Sequence, residues 1–338
     1  MLQRHFAKIY LESAVRDEAL TRHVLQRFPK ATLIEIESYR ELFNRPRQDF
    51  QLQKKSQQLV LARKQDHLLY PGNDKVQDLG YTNFHYNTLL LNCIYNCAYC
   101  YLQGMFQSAN LVAFVNESDF FTATRRAIQQ RADPRSPLYL AISYDTDLLA
   151  FETILPYCQH WIAFAANEPE LIIEIRSKSA HFSALSQCAP QENVVLAWTL
   201  SPQVVIDRYE QGTPALHQRL NSVEAAVQAG WPVRLCFDPI VLVPDWQTVY
   251  QQFFAEVFER LPPEKIRGIS AGVFRMNADY FSQLKHNRPD TDLIFQNFQR
   301  ENNLVSLSKD ARTAVMNHLT PLLEHYVPNN KLDLWTWQ

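Results

Sequence analysis

From residue 87 onward the chain repeats one pattern: a short apolar segment rich in β-branched and aromatic residues, then an amphipathic stretch long enough for a helix. Such a chain builds parallel strands, because each helical stretch supplies the right-handed crossover that returns it to the next strand. The predicted strands are Asn87–Leu91, Leu138–Ser143, Leu171–Arg176, Val194–Leu200, Val233–Asp238 and Ile266–Val273. The predicted helices are Ser118–Arg131, Asp147–Ala165, Ala180–Cys188, Pro202–Tyr209, Pro214–Ala229 and Trp246–Arg260. The expected fold is therefore α/β, a partial (βα)6 TIM-like barrel. Upstream, a helix Leu11–Phe28 and strands Ala31–Ile36 and Gln58–Ala62 suggest a small N-terminal βαβ unit. The expected division is 1–80 for that unit and 81–338 for the barrel, whose end, after about 275, turns irregular and helical. In a βα barrel the working residues sit at the C-terminal ends of the strands and in the loops that follow.

Composition narrows the partners. The 338 residues are 46% hydrophobic and 20% charged, the balance of a globular chain. Thirty-three basic against 35 acidic residues leave a net charge of −2, so any polyanion site must be local. Only 7 glycines occur, with neither GxGxxG nor GxxxxGK[ST], which argues against a glycine-rich phosphate loop. No apolar run approaches the ~18 residues of a membrane span. The opening MLQRHFAKIYLESAVRDEAL lacks the regions of a signal peptide. The expectation is a cytoplasmic monomer without membrane contact.

Three of the six cysteines fall within eight residues, Cys93, Cys97 and Cys100, in a CxxxCxxC directly after the first predicted barrel strand. Six cysteines are too few for a disulfide scaffold, and clustered thiols in a reducing compartment are metal ligands or catalysts. Three thiolates at this spacing can wrap a loop around one face of a 4Fe-4S cube and leave the fourth iron open. The alternatives are zinc, with His85 the nearest fourth ligand in sequence, and three unconnected thiols.

The extended run Cys97-Ala98-Tyr99-Cys100-Tyr101-Leu102-Gln103 resembles the cluster loop of the spore photoproduct lyase family of radical S-adenosylmethionine enzymes. Further stretches resemble that family in the right order: LVLARKQ around Lys64, EIRSKS at Glu174–Ser179, AWTLSP at Ala197–Pro202, RYEQGTPALHQRL at Arg208–Leu220 and VRLCFDPI at Val233–Ile240. Together they span roughly residues 30–280.

The resemblance implies a 4Fe-4S cluster on Cys93, Cys97 and Cys100, with S-adenosylmethionine on its open iron, as the source of a 5′-deoxyadenosyl radical. It implies that this radical takes hydrogen from C6 of 5-thyminyl-5,6-dihydrothymine in UV-damaged DNA, after which the methylene bridge breaks to give two thymines. An external one-electron reductant such as flavodoxin or ferredoxin is implied as well. Lys178 then pairs with the cofactor carboxylate, and Thr199 matches a cofactor-contacting serine. Ser143, Asp145, Asp147 and Asp238, at strand ends, are further cofactor-contact candidates, although Asp147 reads equally as the N-cap of the next helix. Tyr99 and Tyr101 match a catalytic tyrosine pair that returns hydrogen to the cofactor.

One family residue does not match. Ser143 stands where the family has a hydrogen-donor cysteine, and a serine O–H bond is too strong to give its hydrogen to a carbon radical. Cys236 shares a strand face with Asp238 and is a candidate replacement, with a buried packing cysteine as the alternative. The mismatch also motivates a second reading, a radical enzyme acting on another damaged or modified pyrimidine. A third is a non-enzymatic metal or DNA-binding module. Arg275, Lys285, His286 and Arg288 are candidates for a basic rim that contacts DNA phosphates.

Overall fold

A computed structural model of the protein describes residues 5–72 and 79–335. Its main sheet follows from the βα repeat. Strands β1 (Phe84–Tyr86), β2 (Leu138–Ala141), β3 (Leu171–Ser177), β4 (Val194–Thr199), β5 (Val233–Ile240) and β6 (Ile266–Val273) lie side by side in sequence order, all parallel. A seventh parallel strand, β7 (Leu332–Trp335), pairs with β6, and Tyr70–Pro71 runs antiparallel on the outer side of β1. The eight strands curl into an open half-barrel, a partial TIM-like barrel. Helices on its outer face bury the strands, which explains why β2 and β4 read as continuous apolar runs rather than alternating ones.

A second sheet of five strands flanks the first, in the order Thr32–Ile36, Lys8–Glu12, Leu59–Ala62, Leu111–Phe114, Leu90–Leu91. It draws strands from both sides of residue 80. Its residues Ile9 and Leu59 belong to the same hydrophobic cluster as Leu140, Leu196 and Leu235 of the barrel. A smaller apolar cluster underlies the cysteine loop and joins Cys97 and Tyr99 to Tyr209, Phe274, Phe281 and Leu284.

The differences from the sequence-based expectation have local causes. The predicted helix Leu11–Phe28 begins as strand Lys8–Glu12, in which Ile9 and Leu11 are sealed, passes through a 3-10 turn at Ser13–Val15 and becomes α-helical at Ala19–Arg27. The first barrel strand ends at Tyr86 instead of spanning Asn87–Leu91, and Leu90–Leu91 is an edge of the other sheet. Pro156 divides the expected helix Asp147–Ala165 into Leu148–Phe151 and Tyr157–Ala165, because proline lacks the N–H a continuing helix requires. The stretch expected as helix Ala180–Cys188 is only a 3-10 turn, Phe182–Leu185. The C-terminal segment also holds an antiparallel hairpin, Phe298–Glu301 with Leu304–Leu307, beside Arg275–Asn277. Asn302 and Asn303 turn that hairpin at φ 44° and 65°, a left-handed conformation that asparagine tolerates.

One glycine is set by packing. Gly104, in the helix Leu102–Met105 that follows the cysteines, presses against the backbone of Tyr280 in the helix Ala278–Asn287, and a Cβ there would overlap the Tyr280 carbonyl. Gly104→Ala should therefore cost about 1–3 kcal/mol by overpacking. Calorimetric melting should show this as a Tm lowered by several degrees, with the drop falling on the support of the cysteine loop.

Candidate active site

The loop after β1 carries the three cysteines and is held by its backbone. Asn92 takes a left-handed conformation at φ 66° and donates to the carbonyls of Ser108 and Asn110, both at 2.8 Å, which closes the loop at its base. Lys54 donates to the carbonyls of Cys93 (2.6 Å) and Tyr95 (2.7 Å), and Gln57 to Cys93 (3.1 Å). Gln103 donates to the Cys97 carbonyl at 2.7 Å. These contacts leave the three thiols on the inner side, where all three line one cleft of about 840 Å³ at the C-terminal ends of the barrel strands.

Burial raises all three thiols, Cys93 to about 11, and the cations Lys54 and Lys178 act against that rise. Among the described residues no three Cys, His, Asp or Glu side chains converge on a single ion, and His85 does not line the cleft. A zinc site needs convergence on one point. In a 4Fe-4S cube each cysteine binds a different iron, so the donor set has only to surround the group. Thr146, whose buried hydroxyl has no partner among the described residues, lines the same cleft, as a site for a polar ligand requires.

The loop after β2 faces the cysteines. Asp145 accepts from Thr88 (2.6 Å) and from the Tyr101 hydroxyl (2.9 Å), which also reaches the Tyr144 carbonyl at 2.9 Å. Burial raises the Asp145 carboxyl against those two hydrogen bonds. Asp147 caps the helix Leu148–Phe151 through the Ala150 amide at 3.0 Å and accepts from the Ser177 hydroxyl and the Lys178 amide, both at 2.7 Å. Its carboxylate thus fixes the backbone from which Lys178 projects. Ser143 is also committed, donating to the Arg176 carbonyl at 3.0 Å and accepting from the Arg176 amide at 2.7 Å.

Beyond β3, the Lys178 ammonium lies 5.4 Å from the centre of the Tyr99 ring. The Tyr99 hydroxyl donates to Glu210, which is paired at 2.5 Å with Arg219, both side chains being fully buried. Arg219 donates further to the Thr199 carbonyl (3.2 Å) and to Thr213 (2.6 Å). Burial alone would raise the Glu210 carboxyl, but Arg219 and Lys178 outweigh it and hold the group below its ordinary value. Glu174 behaves likewise: Arg176 and Arg234 outweigh its burial, and the Tyr139 hydroxyl donates to it at 2.5 Å. Opposite, Asp238 is paired at 3.0 Å with Arg275, whose guanidinium lies 3.6 Å from the centre of a Trp335 ring.

The cleft thus gathers Cys93, Cys97, Cys100, Tyr99, Tyr101, Ser143, Asp145, Asp147, Lys178, Thr199, Asp238 and Arg275. It does not gather the others. Cys236 is sealed under the floor beside Ser270 and near Arg176. Lys285 is exposed and stands over Phe281, away from the cleft lining. Arg288 is largely buried, paired with Asp290 and donating to the Asn96 carbonyl, so it braces the cysteine loop. His286 is exposed and also outside the lining. Glu210 and Arg219 lie in the RYEQGTPALHQRL stretch but have no individual signature there. Tyr86 and Tyr144 carry one weak signal, their positions at or just past strand ends.

Fold and site together define a half-barrel protein with a three-thiol loop over a deep cleft at its strand ends. The chain belongs to the spore photoproduct lyase family, whose model matches residues 77–336. It is 21% identical over 257 residues to spore photoproduct lyase of Bacillus subtilis (strain 168), covering 72% of this chain and 74% of that one. A solved spore photoproduct lyase complexed with dinucleoside spore photoproduct superposes with a TM-score of 0.82 at 16% identity, over 97% of this chain and 98% of that one. A double mutant with bound AdoMet and dinucleoside spore photoproduct gives 0.81 at 17% identity, with the same coverage. At these identities the structural likeness shows the shared fold.

The buried pair sets a pH-dependent prediction. Arg219→Met leaves Glu210 buried and unpaired and should cost about 3–5 kcal/mol in urea unfolding. The stability Glu210 contributes is fully present above its unfolded pKa of ~4.3 and is lost as pH falls through its lower folded value. The difference between wild type and Glu210→Gln should therefore shrink on acidification below that range.

Proposed function

We propose that this protein is a radical S-adenosylmethionine lyase that splits 5-thyminyl-5,6-dihydrothymine in UV-damaged DNA into two thymines. The observation that carries the reading is the meeting of Cys93, Cys97 and Cys100 with Lys178, Thr199 and Asp145 around one cleft, in a chain of this family. Cys93, Cys97 and Cys100 would hold a 4Fe-4S cluster. Bound there, the cluster and S-adenosylmethionine supply a radical able to remove hydrogen from carbon.

This chain's own residues do the rest. Lys178 offers an ammonium to the cofactor carboxylate, and Asp147 keeps its backbone in place. Asp145 offers a carboxylate to donors such as an amino group or a ribose hydroxyl, with Tyr101 and Thr88 fixing its orientation. Tyr99 is anchored to the Glu210–Arg219 pair, which keeps its ring under the Lys178 ammonium. Arg275 borders the mouth and is the one basic rim candidate that lines the cleft. A dimer reaches such a cleft only when flipped out of the duplex. The electron comes from a one-electron reductant such as flavodoxin or ferredoxin. The protein acts as a cytoplasmic monomer, and among the described residues no helix is long and apolar enough to cross a membrane.

Ser143, in place of a donor cysteine, favours a second reading in which the same platform acts on another modified pyrimidine. Anaerobic reconstitution with iron and sulfide, then reduction with S-adenosylmethionine and a dinucleoside spore photoproduct, separates the two. Thymine release supports the lyase, whereas 5′-deoxyadenosine without thymine keeps the radical chemistry and discards the substrate. Cys97→Ala should fail to develop the broad visible absorbance of the cluster, while Lys178→Ala should keep it. Lys178→Ala should instead raise the KM for S-adenosylmethionine by about tenfold or more, the loss of one charge-assisted hydrogen bond.

A further inference from the structure

Bridge cleavage leaves the methylene carbon on one thymine with an unpaired electron, and the reaction closes only when that carbon receives a hydrogen atom. The inference below rests on the lyase reading and concerns which group supplies that hydrogen. Among the described residues, the cleft lining holds no thiol besides the three cluster cysteines. Ser143 has its hydroxyl bound in both directions to the Arg176 backbone, and an alcohol O–H is too strong to give. Cys236 is sealed from the cleft. A phenol O–H, comparable in strength to a thiol S–H, is the remaining donor type.

The phenols in the cleft are not equivalent. Tyr99 gives its hydroxyl to Glu210, Tyr101 gives its own to Asp145 and the Tyr144 carbonyl, and Tyr70 accepts from Lys64 at 3.0 Å. Tyr39, Tyr95 and Tyr280 line the cleft as well but do not adjoin Ser143; the hydroxyls of Tyr86 and Tyr144 make no hydrogen bond among the described residues, and both rings line the cleft. Tyr144 follows Ser143 directly, and its ring lies 6.4 Å from that of Tyr101 in the cysteine loop. Burial raises both phenols, so each keeps its proton at neutral pH. Behind Tyr144 the rings stack outward: Tyr86 at 4.2 Å, Tyr70 a further 5.1 Å on, and His67, exposed at the surface, another 5.9 Å.

We propose that Tyr144 is the hydrogen-atom donor that closes the reaction and that the stacked rings behind it connect it to the surface. The O–H bond of Tyr144 breaks and a C–H bond forms on the thymine methylene carbon, which becomes the methyl group and leaves a neutral tyrosyl radical. One electron from a low-potential one-electron protein reductant, passed along the Tyr70–Tyr86 stack, and one proton from water restore the phenol. Tyr86 holds the Tyr144 ring by stacking and, with Tyr70, relays that electron.

Tyr144→Phe removes the O–H and keeps the ring stack. Reconstituted wild type, turned over with dinucleoside spore photoproduct in D2O, should place deuterium in the methyl group of released thymine, because a phenol proton exchanges with solvent. Freeze-quenched samples should show a tyrosyl electron paramagnetic resonance signal. Tyr144→Phe should abolish that signal and lower thymine yield at least about tenfold. Its affinity for the dinucleoside, measured calorimetrically without reductant, should stay within about threefold. Unlabelled methyl from wild type, a tyrosyl signal that survives Tyr144→Phe, or an unchanged thymine yield would each overturn the assignment. A fall in affinity as large as the fall in yield would overturn it too, by making Tyr144 a stacking contact only. These outcomes leave the lyase reading standing, whereas absence of thymine from wild type sinks both.

Discussion

Glu210 and Arg219, a carboxylate and a guanidinium sealed from water, tie the cysteine loop to the barrel. The pair meets the Tyr99 hydroxyl on one side and the Thr199 carbonyl at the end of β4 on the other, with Thr213 and Ser201 satisfying further positions. Desolvating two charges is costly, and only a full set of partners offsets it. The cost has a structural return, because the loop is held by its backbone and its three sulfurs stay on the side that faces the cleft. Next to it, residues Glu210–Gln211 pair as a short antiparallel ribbon with Asn96–Cys97. Lys54, Gln57, Gln103 and Arg288 bind carbonyls of the same loop from other directions.

Charge around the cleft is divided by this arrangement. Glu174 and Glu210 each sit beside arginines and stay ionised, whereas Asp145 and Asp147 are raised by burial with only neutral donors directly bonded to them. Glu174 and Glu210 are therefore structural. Asp145, bonded only to two hydroxyls, remains the carboxylate whose surroundings suit a ligand. Lys178 contributes a cation above an aromatic face with no carboxylate ion-paired to it among the described residues, which suits it to an incoming anion.

Much of the barrel was legible along the chain. The predicted strand Ile266–Val273 and helix Trp246–Arg260 occur with those bounds, because their apolar patterns are long and Pro262-Pro263 separates them. The start of the chain was less legible. KIYLE reads as helix or strand until its partners Thr32–Ile36 and Leu59–Ala62 are placed beside it. The cysteine loop was legible as a spacing, and Lys178 and Thr199 as strand-end positions. Arg288 was not, since a basic residue in a polar segment looks the same whether it faces solvent or binds the Asn96 carbonyl.

The residue types were determined by the sequence alone: three thiols within eight residues, a serine at 143, and polar groups at the ends of six parallel strands. Those follow from local pattern, which period and spacing encode directly. Which polar groups remain available was decided only by the tertiary structure. Ser143 is consumed by the Arg176 backbone, Asp147 by the Ala150 and Lys178 amides and the Ser177 hydroxyl, Cys236 is buried beneath the floor, and Tyr86 and Tyr144 stack with their hydroxyls uncommitted among the described residues. Hydrogen-bond commitment and burial depend on contacts between residues far apart in the chain, and no local pattern records them.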